Sequence, residues 1–411
     1  MLKSVRKIYL ALRRVSGFFG LMFGGRAARE ALKGLSKVDA AAYASRIVSD
    51  AVLLNDIPSP SDSENLRMEF IVQRLGEFGI SNIFTDETGN VIALFPAFGT
   101  RRDYLLVVAE VGDANFSPLG NSVHLGKDQA YGQGLGERSF GAAALLVFAE
   151  FAQATGFHLD KNLLVLFTRS SSVDEREEAF RHFLDGWGAN ISGAVLVRGT
   201  GLGVVESKHI GSYRLTVDVR TQERELLSQG DGASAAAVLG GIASQIGGIT
   251  WDERRTAMVN IARMEAGVGY GHWSAQGEMD IEIVAEDDRL LETIKSVVTG
   301  TIAKAGQTVG TKVDTLVRFK RSFGDPGLNS ALRGLLGTVL SRLGVRSDIG
   351  FLSEKVSVLN EKGIPAVAVG ITTGMATLER DEVDLEPLAR GFRQLLLLIE
   401  GIPDALGGRE G

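Results

Sequence analysis

The stretch that decides the fold is LLVVAEVGDANF (Leu105 to Phe116) followed, after a short connection, by YGQGLGERSFGAAALLVFAEF (Tyr131 to Phe151). The first part is an apolar, β-branched run too short for a helix, and it stops at acidic and glycine residues. That pattern predicts a buried strand. The second part predicts a glycine-rich turn that runs into a helix from about Ser139, with small residues where the helix presses on a sheet. Polar groups at the carboxyl end of a buried strand, followed by a loop into a helix, mark where open α/β sheets place ligands.

Outward from this stretch the chain alternates strands and helices. A helix is predicted to about Leu54, then a break at IPSPS (Ile57 to Ser61), a second helix over Ser63 to Phe78, and a turn and strand in TDETGNVIALFPA (Thr85 to Ala97). The two prolines of the break fix φ and remove donors. Downstream come a strand NLLVLFT (Asn162 to Thr168), a charged helix from about Val173 to Gly186, and a strand GAVLV (Gly193 to Val197). From Ser212 to about Lys320 the order is β-α-β-β-α-β, a ferredoxin-like unit. A helix (Pro326 to Leu343), a strand (Ala366 to Val369) and a closing helix (Pro387 to Ile399) then resume the α/β pattern. The expected fold class is therefore α/β: a mixed-sheet α/β/α domain interrupted by an inserted ferredoxin-like α+β unit. Its expected boundaries are 1–35 for a basic amphipathic segment, 36–210 with 324–405 for the discontinuous α/β domain, and 211–323 for the insertion.

Composition narrows the function classes. The 411 residues are 45% hydrophobic, enough for a large core, and carry a formal net charge of −6, which gives a nucleic-acid role no bulk electrostatic support. There is no cysteine, so disulfides and thiolate metal sites are excluded. The five histidines are His124, His158, His182, His209 and His272. The first 35 residues hold eight basic side chains against Glu30, so they carry +7 and the rest of the chain −13. Apolar residues recur there at helical spacing, and GFFGLMFGG (Gly17 to Gly25) is shorter than the roughly 20 residues a membrane span requires. Three readings stay open for this segment: a helix packed on its own body, attachment to an anionic membrane surface or protein partner, and export targeting through Arg13-Arg14. The expected location is cytoplasmic, with membrane association or export as the alternatives.

The order and spacing of these phrases, with IPSPS, DETGNVIA and GTGLGVVESKHIGSYRLTVDV (Gly199 to Val219), resemble the two-metal exopeptidase and deacylase family of the aminoacylases, glutamate-type carboxypeptidases and peptidase T. The resemblance covers about residues 40 to 403. It implies an α/β domain with an inserted lid that often dimerises, hence a homodimer or larger self-assembly. It also implies two divalent cations held by imidazoles and carboxylates, which polarise a carbonyl and generate hydroxide, with a nearby glutamate as base.

Residue by residue, the implied site is altered. The family's His-x-Asp pair falls on Glu110 and Gly112, and its bridging aspartate on Glu137. Its Glu-Glu pair, base and ligand, falls on Ser172 and Val173. A further aspartate ligand falls on Arg198, whose permanent charge repels a cation. The last histidine falls on Met375 or Ala376. The lid histidine falls on Arg224 or Glu225, and the lid asparagine on Gly271, beside His272. Only Glu110 and Glu137 keep ligand chemistry. His209 and His272 match no catalytic position, and a lone histidine is commonly a structural residue. The expectation is a catalytically inactive relative acting by binding, oligomerisation or scaffolding, with no cofactor. One alternative is a hydrolase rebuilt around Glu110, Asp113, Glu137, Asp174 and Glu175 as an all-oxygen site for Mn²⁺, Mg²⁺ or Ca²⁺ rather than zinc, and any cofactor at all would be a divalent metal, Zn, Mn or Mg. Another is a binder of carboxylate ligands or peptides that uses Arg198, with His272 as a second candidate contact.

Overall fold

The structure, a computed structural model, describes residues 40–57, 65–97, 103–112, 122–157, 159, 161–169, 178–224, 232–249, 256–325, 327–377 and 380–407. The chain divides into two compact units, Met1–Ser207 with Gly327–Gly411, and Lys208–Pro326. The N-terminal segment 1–35 lies outside the described residues, as do Ser172 and Val173. Among the described residues no helix is long and apolar enough to cross a membrane.

The first unit is built on a six-stranded sheet. Its strands are β1 (Ile83–Thr85), β2 (Val91–Phe95), β3 (Tyr104–Val111), β6 (Asn162–Arg169), β7 (Ile191–Thr200) and β14 (Ala366–Thr372), in the order β1-β2-β6-β3-β7-β14. The pairs from β6 to β14 are parallel, and β1 and β2 run antiparallel at one edge. The run Leu105 to Ala109 has no exposed surface because both faces are covered. Leu105, Val107 and Ala109 point into one core and Leu106 and Val108 into the other, as the two-residue period of a strand requires.

The first face packs against α1 (Ala41–Asp56), α2 (Asn65–Glu77), α3 (Phe140–Thr155), α7 (Ser330–Leu343) and α9 (Leu388–Gly407). The second is covered by α4 (Glu178–Trp187) and α8 (Glu354–Glu361). The helix predicted from Ser139 begins at Phe140, because Leu135–Ser139 forms a π-helical turn first. Its small residues are used as predicted: a Cβ on Gly141 would lie 2.9 Å from the carbonyl oxygen of Val197. The helix predicted from Pro326 begins at Ser330, and the closing helix continues to Gly407 through Pro403. Two small sheets were not predicted. One pairs β8 (Val204–Lys208) with β13 (Asp348–Phe351). The other orders β15 (Gly374–Met375), β16 (Asp381–Asp384), β5 (Gln129–Gly132) and β4 (His124–Leu125).

The second unit is an antiparallel sheet of β9 (Gly211–Thr221), β10 (Ala257–Ala266), β11 (Gln276–Ala285) and β12 (Thr311–Arg321), in the order β10-β11-β9-β12. Helices α5 (Ala235–Gly247) and α6 (Asp288–Ala305) close one face over Leu215, Val217, Met279 and Ile281. Both helices start on side-chain caps, Ser234 Oγ accepting the Ala237 N–H at 3.3 Å and Asp287 Oδ1 accepting the Leu290 N–H at 2.8 Å. The other face is polar, with Arg214 on Glu282 and Arg263 on Asp280, each at 2.8 Å. This is the ferredoxin-like pattern, so the fold class is that of an α/β domain interrupted by an α+β insertion.

Candidate functional site

The carboxyl ends of β3 and β7 carry the two charged residues that the sequence placed in metal-ligand positions. Glu110 is in register with Thr168 of β6, and Arg198 with Gly370 of β14. Ala109 pairs with Val197, so Glu110 and Arg198 follow side by side on adjacent parallel strands. Parity puts both on the face covered by α8, above Leu106, Val108, Ala194 and Leu196.

Each charge is met by a partner from another element. Lys355, in the first turn of α8 and 4% exposed, holds its Nζ 3.6 Å from Glu110 Oε2 and 5.6 Å from the centre of the Phe180 ring. Arg138, from the π-helical turn, places Nη2 3.7 Å from Glu110 Oε1 and donates from Nη1 to the carbonyl oxygen of Gly112 at 2.6 Å. Gly112 has φ of 104°, a left-handed conformation, as the chain leaves the sheet. Arg198 Nη1 donates to Glu206 Oε1 at 3.1 Å. Glu206 Oε2 accepts the backbone N–H of Ser353 at 2.8 Å, just ahead of α8. Burial pushes the Glu206 carboxyl above its usual range, against the opposing pull of the Ser353 N–H and the Arg198 guanidinium.

The glycine-rich loop is clamped from two sides. Gly134 has φ of 66°, and the Gly136 N–H donates to Asp381 Oδ2 at 2.8 Å. Ser139 Oγ donates to Asn55 Oδ1 at 2.9 Å. Glu137 sits in the π-helical turn, and its side chain lies outside the described residues. Met375 is 59% exposed on β15, and Ala376 beside it is also exposed. The same segment, GITTGMATLERDE (Gly370 to Glu382), supplies Asp381 as the clamp, a structural carboxylate that sequence reasoning passed over. At the end of β6, buried Asn90 ties the neighbouring turn together: its Nδ2 donates to Asp86 Oδ2 at 2.7 Å and its Oδ1 accepts the Arg169 N–H at 3.0 Å.

The remaining candidates are dispersed. His124 is exposed on β4 and His182 on α4, while His158, Asp113, Asp174, Glu175 and Glu225 lie outside the described residues. In the second unit, His209 makes a backbone bridge with Gly324, its N–H donating to the Gly324 carbonyl at 2.8 Å. His272 and Gly271 are exposed in the loop between β10 and β11, and Arg224 stacks 5.8 Å from the Trp273 ring centre.

Among the described residues the donor set does not fit a two-metal centre. Among the described residues no group of three His, Asp or Glu side chains is placed to hold a metal ion. The charges that meet Glu110 are an ammonium and a guanidinium. The two heads together would repel a divalent cation about 5 Å from each by on the order of 13 kcal/mol at an effective dielectric of about 20, and one carboxylate at the same distance offsets only half of that. Three residues central to this arrangement, Arg138, Glu206 and Lys355, were missed in the sequence. The segment SEKVSVLNEKG (Ser353 to Gly363) does carry a start signal, Ser353 followed by Glu354, and a glycine stop.

Comparison of the sequence with family models and with curated proteins gives no match. Solved structures do match over nearly their full length. The dipeptidase Dug1p of Saccharomyces cerevisiae superposes with a TM-score of 0.67 at 11% identity, over 93% of this chain and 99% of its own. A tripeptidase from Staphylococcus aureus gives 0.66 at 14% identity, over 88% and 98%. A dinuclear metal-binding peptidase of the M20 family from Bacillus subtilis gives 0.61 at 15% identity, over 88% and 99%. At these identities the likeness is one of fold: the chain has the two-domain architecture of the M20 peptidases.

Proposed function

We propose that this chain is a catalytically inactive relative of the metal-dependent peptidases and amidohydrolases, acting by binding and self-association. The observation that carries the proposal is the ion network at the carboxyl ends of β3 and β7. Lys355 and Arg138 neutralise Glu110 from inside the protein, and Arg198 stands where the resemblance implies an aspartate ligand. The positions aligned with the base and its neighbour are Ser172 and Val173, neither of which takes up a proton near neutral pH. Self-association through the second unit is supported by its two long edge strands, β10 and β12, since an outer strand is a template for pairing with another chain. Residues 1–35, at +7, are the candidate attachment segment for a membrane surface or protein partner.

The test is hydrolysis of dipeptides, tripeptides and N-acyl amino acids by the full chain in the presence of Zn²⁺, Mn²⁺ or Co²⁺. Turnover at the level of a no-enzyme control is expected. Chelator-sensitive turnover that falls when Glu110 is replaced by Gln would overturn the proposal.

A further inference from the structure

The small sheet of β15, β16, β5 and β4 has one face in the core and one toward solvent. Ala130 and Val383 pair across it and have no exposed surface, so their neighbours Gln129, Tyr131 and Asp384 point the other way. There they meet the turn between β4 and β5 and the residues just ahead of α9. Lys127, Asp128, Gln129, Tyr131, Asp384 and Glu386 line a solvent-open cavity of about 500 Å³. None of them stands at a metal-ligand position of the family resemblance, so the cavity is independent of the ion network at the ends of β3 and β7.

The polar groups of the cavity are already oriented. Tyr131 Oη donates to Gln129 Oε1 at 2.6 Å, Gln129 Nε2 donates to Asp384 Oδ1 at 2.9 Å, and Thr373 Oγ1 donates to Asp384 Oδ2 at 2.5 Å. Both hydroxyl hydrogens are thus used within the chain, and the bonds run toward Asp384. The Thr373 and Gln129 bonds favour the ionised carboxyl and hold it below its usual range. What a ligand meets is mainly acceptors: the remaining lone pairs of Asp384, the Tyr131 oxygen and the exposed Asp128 carboxylate. Glu386 is met from α9 by Arg390 at 3.5 Å, and Lys127 is the cation of the lining. The Tyr131 ring already faces one guanidinium, that of Arg380, 4.3 Å from its centre.

We propose that this cavity binds an organic cation with N–H donors, the ammonium or guanidinium head of a lysine-like or arginine-like molecule. Asp384 is its anchor, and Gln129 and Thr373 position the anchor. A charged donor makes a stronger bond to a carboxylate than a neutral one does. An anion would face Asp384 and Asp128. A metal ion fits less well on two grounds. Among the described residues no group of three carboxylate or imidazole side chains is placed to hold one, and hard cations need several oxygens at about 2.0–2.6 Å. The volume, about 500 Å³, lies instead in the range of small-molecule sites, roughly 300–1,000 Å³.

The experiment follows the backbone amide resonances of Gln129, Tyr131 and Asp384 in the ¹⁵N-labelled full chain. The probes are N-acetyl-lysinamide, N-acetyl-argininamide, the uncharged N-acetyl-norleucinamide and Ca²⁺. Saturable shifts are expected with the lysine or arginine probe, and affinities at least roughly tenfold weaker with the norleucine probe and Ca²⁺. Tighter binding of the lysine probe would identify the head as an ammonium, and of the arginine probe as a guanidinium; either supports the site. Asp384→Asn removes the charge at nearly constant volume and should weaken the cation roughly tenfold. Thr373→Val should weaken it severalfold, and Thr373→Ser should restore it. Asp128→Asn, at an exposed turn position, should weaken it about threefold and keeps the test open should Asp384→Asn not fold. Cationic probes no tighter than the norleucine probe, Ca²⁺ tighter than either, or no saturable shift with either cation would each overturn the proposal. So would unchanged affinity in Asp384→Asn, or in Asp128→Asn should the first not fold. Binding is read without any turnover, so its failure leaves the hydrolysis result standing on its own.

Discussion

Gly199→Ala unfolds the first unit or lowers its stability by at least about 4 kcal/mol, a size reached by few single substitutions. The residue lies at the end of β7, where the glycine-rich loop crosses the sheet. A Cβ built on it would overlap the carbonyl oxygen of Gly136 and come within 2.7 Å of the Cβ of Phe140. Neither neighbour can yield. Gly136 is pinned through its N–H to Asp381, and Phe140 opens a helix whose first three turns are buried throughout. Overpacking against backbone forces main-chain movement, which is why the cost exceeds the ~1–3 kcal/mol of an added methylene between side chains. Gly300→Ala is the matching control. It sits in α6 with nothing within 4 Å of the new atom, and the better helix propensity of alanine should stabilise the protein by up to about 1 kcal/mol. Chemical denaturation of both variants checks the pair. A soluble Gly199→Ala protein with wild-type stability would mean that the loop does not press on the sheet as described.

Glu110→Ala should cost about 2–3 kcal/mol, and adding Lys355→Met should recover at least half of that. Removing the carboxylate leaves a lysine that is 4% exposed without the oxygen now 3.6 Å from its Nζ. Breaking a buried pair from one side typically costs ~3–5 kcal/mol, whereas replacing both partners by apolar groups is often close to neutral. The expected value is set below that range because 28% of the Glu110 side chain remains exposed and its two cationic neighbours stand 3.6 and 3.7 Å away. Met fills the space of the lysine stem against Phe180 without a charge. A double-mutant cycle by urea denaturation measures the coupling. Additive effects would show that Glu110 and Lys355 do not hold one another, and would remove the internal cation from the description of the site.

The central strands were legible because burial on both faces leaves an unbroken apolar run, and Leu105 to Ala109 is such a run. The β-α-β-β-α-β order of the second unit was legible for a related reason: its helices bury one stripe and open on capping residues, Ser234 and Asp287. Helix α8 was not legible. It is short, and its buried positions include Lys355 and Ser357, so the apolar stripe is interrupted by the very residue that meets Glu110. Glu206 was hidden for a similar reason. It lies in a five-residue strand at the surface of the unit, and nothing in VVESK says that its carboxylate turns inward onto Arg198 and the start of α8. Single positions such as Arg198 could be read as unfavourable to a metal from charge alone. The cations that replace it came from segments distant in sequence, which only the fold brings together.

The most direct test is the metal content of the full chain, purified without chelator or affinity tag and measured by elemental analysis before and after incubation with Zn²⁺ and Mn²⁺ followed by desalting. The ion network predicts far less than one metal per chain in both samples. About two retained per chain, the stoichiometry of a two-metal hydrolase, would contradict the inactive reading and place Glu110 among the ligands instead of in an ion pair with Lys355 and Arg138.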